Sequence, residues 1–327
     1  MPGDPAPRRD ALAAALAERL ADDIPEIEAS RRRWLPAVVA ALAAPVLVGV
    51  AIEALAPGSS AVPFGVLFAL LVAWMVAGGI VIQVQGRRAR EALLPAVSAV
   101  LGGGAWRVGL PWGADGGPGL PLFRPFGFQR LHHRFDGTTD GIPWSASELA
   151  LTEQLPGLHD RPIGIPAPRN GTRGSRSSPV FAGLVVALRL PVPVASRILC
   201  RGVGGGLFAP QRLPVETLPA EGFTRLPPPD PAFARHFDLW AEDPEEARRI
   251  LTPALAAALA AEASRLRRGR TDAAFLDGTL LLFQARATVL PWIGATFRPA
   301  SRLPWIGVKV IERLGAAPRL ARALAAG

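Results

Sequence analysis
The chain has 327 residues, half of them apolar, a formal net charge of +9 and a single cysteine, Cys200. One cysteine excludes an internal disulfide, in keeping with a reducing compartment. The positive balance is nearly all arginine, with Lys309 the one lysine and tyrosine absent; the arginines are scattered rather than gathered with aromatics, so specific nucleic-acid binding is not expected.

Residues 9–30 carry leucines at 12, 16 and 20 among Ala, Glu, Asp and Arg. That spacing predicts an amphipathic helix. Its acidic face argues against lipid binding, so the helix is expected either to dock on the folded domain or to fray.

Two apolar runs follow, 34–56 and 62–82, separated by Pro57, Gly58, Ser59, Ser60 and Ala61. Each has the length of a helix that crosses a bilayer. Arg31, Arg32 and Arg33 precede the first run, and Arg87, Arg88 and Arg90 follow the second. Basic flanks stay on the cytoplasmic side. The expectation is a two-span transmembrane hairpin in a bacterial inner membrane, multi-pass, with the lipid bilayer as partner and both termini cytoplasmic. Glu53, the one ionisable residue in either run, lies near the outer end, where it snorkels to the headgroups. Gly65, Ala69, Ala73 and Ala77 recur every four residues, a face for the first helix or for self-association. The first run begins behind a charged segment and is too long for a cleavable signal core.

The second helix is expected to continue through residues 87–101, kinked at Pro95 and ended by Gly102, Gly103 and Gly104. Residues 109–121 read as a loop. Residues 128–135 and 142–153 read as strands around a turn at 136–141. Residues 156–179 form a loop rich in Pro, Gly, Ser and Arg, and 180–190 is the strongest buried strand. Short strands among prolines fill 191–231. Gly202 to Gly206 is glycine-rich but lacks a Walker lysine, so it reads as a turn.

The best-defined stretch is 233–298. Phe237–Trp240 is a strand. Asp243 with Pro244, and Thr252 with Pro253, are helix starts. The second of these helices runs to about Arg268, with Leu255, Leu259 and Leu266 on one flank. Asp277-Gly278 between apolar strands predicts a tight hairpin. Residues 301–323 close the chain as an amphipathic helix interrupted at Pro318.

The runs Phe233–Phe237, Ala247–Pro253, Ala274–Gly278 and Phe297–Pro299 resemble a bacterial family of two-span membrane proteins whose C-terminal cytoplasmic domain has unknown function. Ala247–Pro253 and the Asp277-Gly278 hairpin carry most of the likeness. The resemblance implies topology and fold, and nothing catalytic. Arg249 stands where the family usually has Tyr, and 156–179 reads as an insertion.

The expected fold class is therefore α+β: an N-terminal two-helix transmembrane hairpin followed by a mixed strand/helix cytoplasmic domain. The expected organisation is an N-terminal helix over 1–33, the hairpin over 34–82, a helical extension over 83–104 and the α+β domain over 105–327. No HExxH, GxSxG, P-loop or CxxC occurs, so no catalytic, cofactor or metal residues are assigned. His132 and His133 point to opposite faces of a strand. His159 falls in the loop. Asp238, Glu242 and Asp243 precede a helix start, where capping explains them. Asp136 and Asp140 flank a turn without calcium-loop spacing. The functional reading is a membrane-anchored binding or scaffold module that holds a protein partner, with sheet edges and the 156–179 loop as contact surface. An enzyme acting on a lipid or small molecule is the alternative. A site converging near Asp136, Asp140, Glu148 and His236 would favour it. A transport accessory subunit is a third reading.

Overall fold
The computed structural model describes residues 5–55, 62–101, 106–108, 122–123, 126–153, 179–203, 214–266, 270–285 and 298–326. The chain divides into two compact units. One comprises Met1–Val100 with Leu290–Ile311, the other Leu101–Val289 with Glu312–Gly327.

The first unit is helical. Helix α1 spans Pro5–Arg19, α2 Asp23–Leu55 and α3 Val62–Val100. The single helix expected over 9–30 is broken at residues 20–22. Pro25, which cannot donate inside a helix, instead sits in the first turn of α2. Leu16 and Leu20 are fully buried, as are Leu93, Leu94 and Val97 of α3. A β-carbon on Gly307 would lie 2.7 Å from Leu16 Cδ1 and 3.0 Å from Leu93 Cδ1, so the absent side chain admits both leucines. Gln85 donates to Ser30 at 2.9 Å and ties α3 to α2. Glu28 accepts from Arg31, from Arg32 and from the Ala300 amide. The Arg31 guanidinium, the Ala300 amide and Arg32 hold its carboxyl well below the usual range, at about 2, against a smaller opposing effect of burial.

The transmembrane expectation is corrected here. Among the described residues, no helix is long and apolar enough to cross a membrane. The apolar runs are not helices of their own. The first is the distal part of α2, whose opening turns carry Asp23, Glu26, Glu28 and Arg31 to Arg33; the second opens α3, which continues through Arg87, Arg88, Arg90 and Glu91. The two-span hairpin in the expected fold class, the transmembrane character and the multi-pass inner-membrane location are withdrawn on that finding. The connection at 56–61 and the side chains of Gly65, Ala69, Ala73 and Ala77 lie outside the described residues.

The second unit is built on an antiparallel sheet, nine strands among the described residues. The strands are β1 Trp106–Val108, β2 Phe126–Thr139, β3 Ile142–Glu153, β4 Pro179–Arg189, β5 Ile198–Gly202, β6 Thr224–Leu226, β7 Phe237–Ala241, β8 Thr271–Leu276 and β9 Thr279–Ala285. Their order is β1-β2-β3-β4-β9-β8-β5-β7-β6. Two dipeptides set the hairpins. Asp140 and Gly141 have φ of 49° and 78°, and Asp277 and Gly278 have φ of 47° and 67°. Both pairs occupy the left-handed region that a two-residue hairpin turn of matching twist requires. The turn expected over 136–141 is thus confined to its last two residues, and β2 runs on to Thr139. Trp144 lies across Gly137, its cross-strand partner, and donates to Thr139 at 3.0 Å.

One face of this sheet carries a core in which Phe123, Phe181 and Phe283 meet with ring centroids 5.1–5.6 Å apart. The helices α5 Pro244–Ile250 and α6 Pro253–Arg265 follow their expected caps, and the short helix α4 Pro231–Ala234, where only strands among prolines were expected, is capped by Asp230 accepting from the Phe233 amide. Asp243 accepts from Glu245 and Glu246, and Thr252 accepts from Leu255. The chain ends in α7 Leu303–Leu314 and α8 Ala316–Ala325. The break falls at Gly315 rather than Pro318, because a proline in the first turn of α8 removes only an N–H that no helical carbonyl would accept. Glu262 of α6 is buried and receives the Arg319 guanidinium of α8 at 2.5 and 2.9 Å, joining the two helices.

Candidate functional site
Period-2 geometry places Leu199 and Arg201 of β5 on one face of the sheet and Ile198 and Cys200 on the other. Arg201 is opposite Asp238 of β7. On its other side, Cys200 is opposite Ala273 of β8, so the next position brings Asp272 level with Arg201. Asp238 in turn accepts from Arg225 of β6 at 2.6 Å. Asp272, Arg201, Asp238 and Arg225 therefore form a row of alternating charge across four adjacent strands. Its inner end is dry: Asp272 is 1% exposed and Arg201 4%. Its outer end is wet, with the Arg225 and Asp238 side chains 66% and 41% exposed.

The inner end also fixes the backbone. The ladder between β5 and β8 covers Ile198, Leu199 and Cys200. At Gly202, the side chains of Asp272 in β8 and of Arg270 just before it take over. Asp272 Oδ1 accepts the Gly202 amide at 2.8 Å, and Arg270 donates to the Gly202 carbonyl. Arg270 and Asp272 are themselves 3.9 Å apart. Burial pushes the Asp272 carboxyl up to about 6, against the pull of Arg270, the Gly202 amide and Arg201. Burial also draws Arg201 and Arg270 down from the ordinary guanidinium value, though a guanidinium keeps its charge.

At the outer end lies a groove of about 410 Å³ lined by Arg225, Leu226 and Pro228, by Ala234 of α4, and by Phe237 and Asp238 of β7, among others. Its wall is aliphatic and proline-rich, with the Arg225–Asp238 pair as its polar part. The edge strand β6 is three residues long and is followed by Pro227, Pro228 and Pro229. Prolines lack the amide that pairing needs, so this edge is blocked against strand addition.

The other candidates take structural places. Asp136 pairs with Arg134 at 2.7 Å. Asp140 is a turn residue. Glu148 is in β3, and His236 precedes β7. Five strand intervals separate β3 from β7, roughly 24 Å at the usual spacing. Asp136, Asp140, Glu148 and His236 thus do not converge. Glu242 holds Arg197, accepting from its amide at 2.7 Å and from its guanidinium. Glu246 accepts from the Ser196 amide at 2.7 Å. Cys200 is fully buried, and burial with the nearby Asp272 charge raises its thiol far above the ordinary value. Among the described residues no group of three or more His, Cys, Asp and Glu is placed to hold a metal. Glu53, His132 and the 156–179 loop with His159 lie outside what is described, in whole or in their side chains.

The charged row is absent from the sequence reading. An arginine inside Ile198–Gly202 and an aspartate inside Thr271–Leu276 are both polar breaks in otherwise apolar strands, a signal in hindsight. That they share a face depends on pairing between segments some seventy positions apart.

Residues 180–290 match a family described as a protein of unknown function (DUF3137). The chain carries that domain from β4 to just beyond β9. The matched stretch contains Ala247–Pro253 and Asp277-Gly278, and it takes in the whole charged row; it does not reach the two apolar runs. No curated protein matches the chain. Among solved structures, the chain is similar to the crystal structure of the mycobacterial trehalose monomycolate transport factor A, TtfA, at 12% identity over 72% of this chain and 94% of that one, with a TM-score of 0.28. That likeness is too distant to assign a function.

Proposed function
We propose that this chain is a binding module that holds a protein partner, and that the groove beside β6 receives an extended apolar segment of that partner. The groove carries the reading. Its floor is buried aliphatic and aromatic surface, and Pro227 and Pro228 give it walls with little conformational freedom to lose on binding. The Arg225–Asp238 pair at its rim offers both a donor and an acceptor to a passing peptide backbone. Because the edge is blocked by prolines, recognition works through side-chain pockets rather than an added strand. The enzymatic alternative lacks the acidic and histidine convergence that would support it.

Ala234 is half-buried at the end of α4, and its side chain faces the groove. Ala234→Arg fills the groove without entering the sheet core. Affinity capture from living cells with the full chain should yield a defined partner with the wild type and lose it with Ala234→Arg, while thermal stability stays within about 2 °C. Recovery of the same partners by both chains would remove the groove from the account.

A further inference from the structure
Helix α7 meets water along one stripe. Leu303, Ile306, Val308, Val310 and Ile311 are buried, and the Gly307 side of the helix faces Leu16 of α1 and Leu93 of α3. What stays exposed is Arg302, at the end of a 3-10 turn Ala300–Arg302 that runs straight into α7, then Trp305, Lys309 and Glu312. The intervals are three, four and three, so these side chains lie one above another on a single face. That is the spacing one helix offers to a second helix packed along it.

The chemistry of the stripe is unsatisfied within the chain. Trp305 is 43% exposed. Among the described residues it has no ring or cation contact, and neither Arg302 nor Lys309 has an ion pair. The carboxylate that reaches this segment is already spent. Glu28 of α2 accepts the Ala300 amide at 3.0 Å, two residues before Arg302, and its oxygens also accept from Arg31 and Arg32. The Arg32 side chain is itself 76% exposed. Four cations, Arg31, Arg32, Arg302 and Lys309, thus stand against the one carboxylate of Glu28, and Glu312 reverses the sign only at the far end of the stripe.

We propose that this stripe docks an acidic helix of a partner protein. One carboxylate lies opposite Arg302 and a second, seven positions along the partner, opposite Lys309, with a leucine between them covering Trp305. The helix rise sets Arg302 and Lys309 about 10 Å apart, which is also the span of seven residues in the incoming helix. Tryptophan and arginine are the residues that most often dominate interface energies, and complementary charge steers the encounter and fixes its register. Residues 302–309 belong to the helical unit, so the proposal does not rest on the groove beside β6.

The test uses two stapled helical peptides as probes. One carries Glu at two positions seven apart with Leu three and four positions after the first; the other carries Lys in place of each Glu. Titrated by fluorescence anisotropy into the full chain, the Glu peptide should bind saturably and about tenfold or more tighter than the Lys peptide. Trp305→Ala should weaken the Glu peptide about thirtyfold. Arg302→Glu combined with Lys309→Glu should reverse the preference between the two peptides. The three positions are exposed, so circular dichroism should show an unchanged fold; should a variant misfold, the two peptides on the wild type decide alone. Absence of saturable binding by the Glu peptide, equal affinity for both peptides, or indifference to Trp305→Ala in a folded chain overturns the proposal. Vesicles containing phosphatidylglycerol that sediment the wild type but not the charge-reversed chain would assign the stripe to a lipid surface. A dimer of the full chain that Trp305→Ala dissociates in sedimentation equilibrium would assign it to a second copy. Either of these results also overturns the acidic partner.

Discussion

Gly202→Ala puts the packing of the sheet's charged corner to a direct test. A β-carbon at 202 would lie 2.2 Å from the Thr271 carbonyl oxygen and 3.2 Å from Arg270 Cγ. A carbon meets a carbonyl oxygen comfortably at roughly 3.3–3.6 Å, so β5 and β8 must part by about 1 Å. Thr271 cannot yield easily, since it is buried and paired to Gln284 of β9. The same movement stretches the 2.8 Å bond from the Gly202 amide to Asp272 out of range. Overpacking of this kind costs about 1–3 kcal/mol. Loss of a hydrogen bond to a charged group adds about 1.5–3 kcal/mol. Removing a glycine from a strand returns about 0.5–1 kcal/mol. The net is a destabilisation of about 2–5 kcal/mol, or roughly 5–15 °C in Tm for a unit of this size. Gly86→Ala is the control, because nothing lies within 4 Å of the place its added methyl would take; at this half-buried helix position it should be neutral or stabilising by up to about 1 kcal/mol. Calorimetry of both variants decides. A Tm for Gly202→Ala within 1 °C of wild type (on the order of 0.3 kcal/mol) would refute the close approach of β5 to β8.

Three further outcomes follow from the same structure. Cys200 is buried with its thiol far above the ordinary value, so a maleimide should leave the native chain unlabelled over hours and react fully in guanidinium. Rapid native labelling would contradict the burial of β5. Glu28 titrates at about 2 in the folded chain against an ordinary 4.5, chiefly because Arg31 donates to it; its contribution is present above pH 4.5 and fades as pH falls toward 2. Glu28→Gln should therefore lower Tm at pH 7 and flatten the acid limb of the stability curve in that window, while a parallel curve would contradict the assignment. Arg319→Met leaves buried Glu262 with Arg265, 3.4 Å away, as partner, and should cost about 2–4 kcal/mol. Adding Glu262→Leu should recover most of that loss in a thermal melt, and a double variant as unstable as the single one would show that packing, not charge, joins α6 to α8.

How much of this was readable beforehand depends on range in sequence. The Asp277-Gly278 turn, the Asp243 and Thr252 caps and the buried strand at 180–190 are set by a few neighbouring residues, and local chemistry identifies them. The C-terminal helix break moved to Gly315 because a proline signal means little in a first turn, a position unknown until the helix start is known. Hydropathy alone treats the apolar runs as independent spans; the helices that contain them extend far into charged sequence at Glu28 and Arg87. Most of all, the site was hidden by pairing. Arg201, Asp238 and Asp272 become neighbours only through the β8-β5-β7 order, which no local pattern encodes. The pocket beside β6 has the same origin, since Leu226 and Phe237 meet through strand pairing and the short α4 turn.

The most direct test of the binding account places a photoreactive amino acid at exposed Pro228, in the groove, and at exposed Asp277, at the hairpin tip, in otherwise wild-type full chains. Irradiation in living cells, followed by mass spectrometry, should give a defined protein adduct from position 228 that is missing from position 277 and that disappears with Ala234→Arg. Identical adduct patterns from both positions, or only self-adducts from 228, would contradict a partner-binding groove.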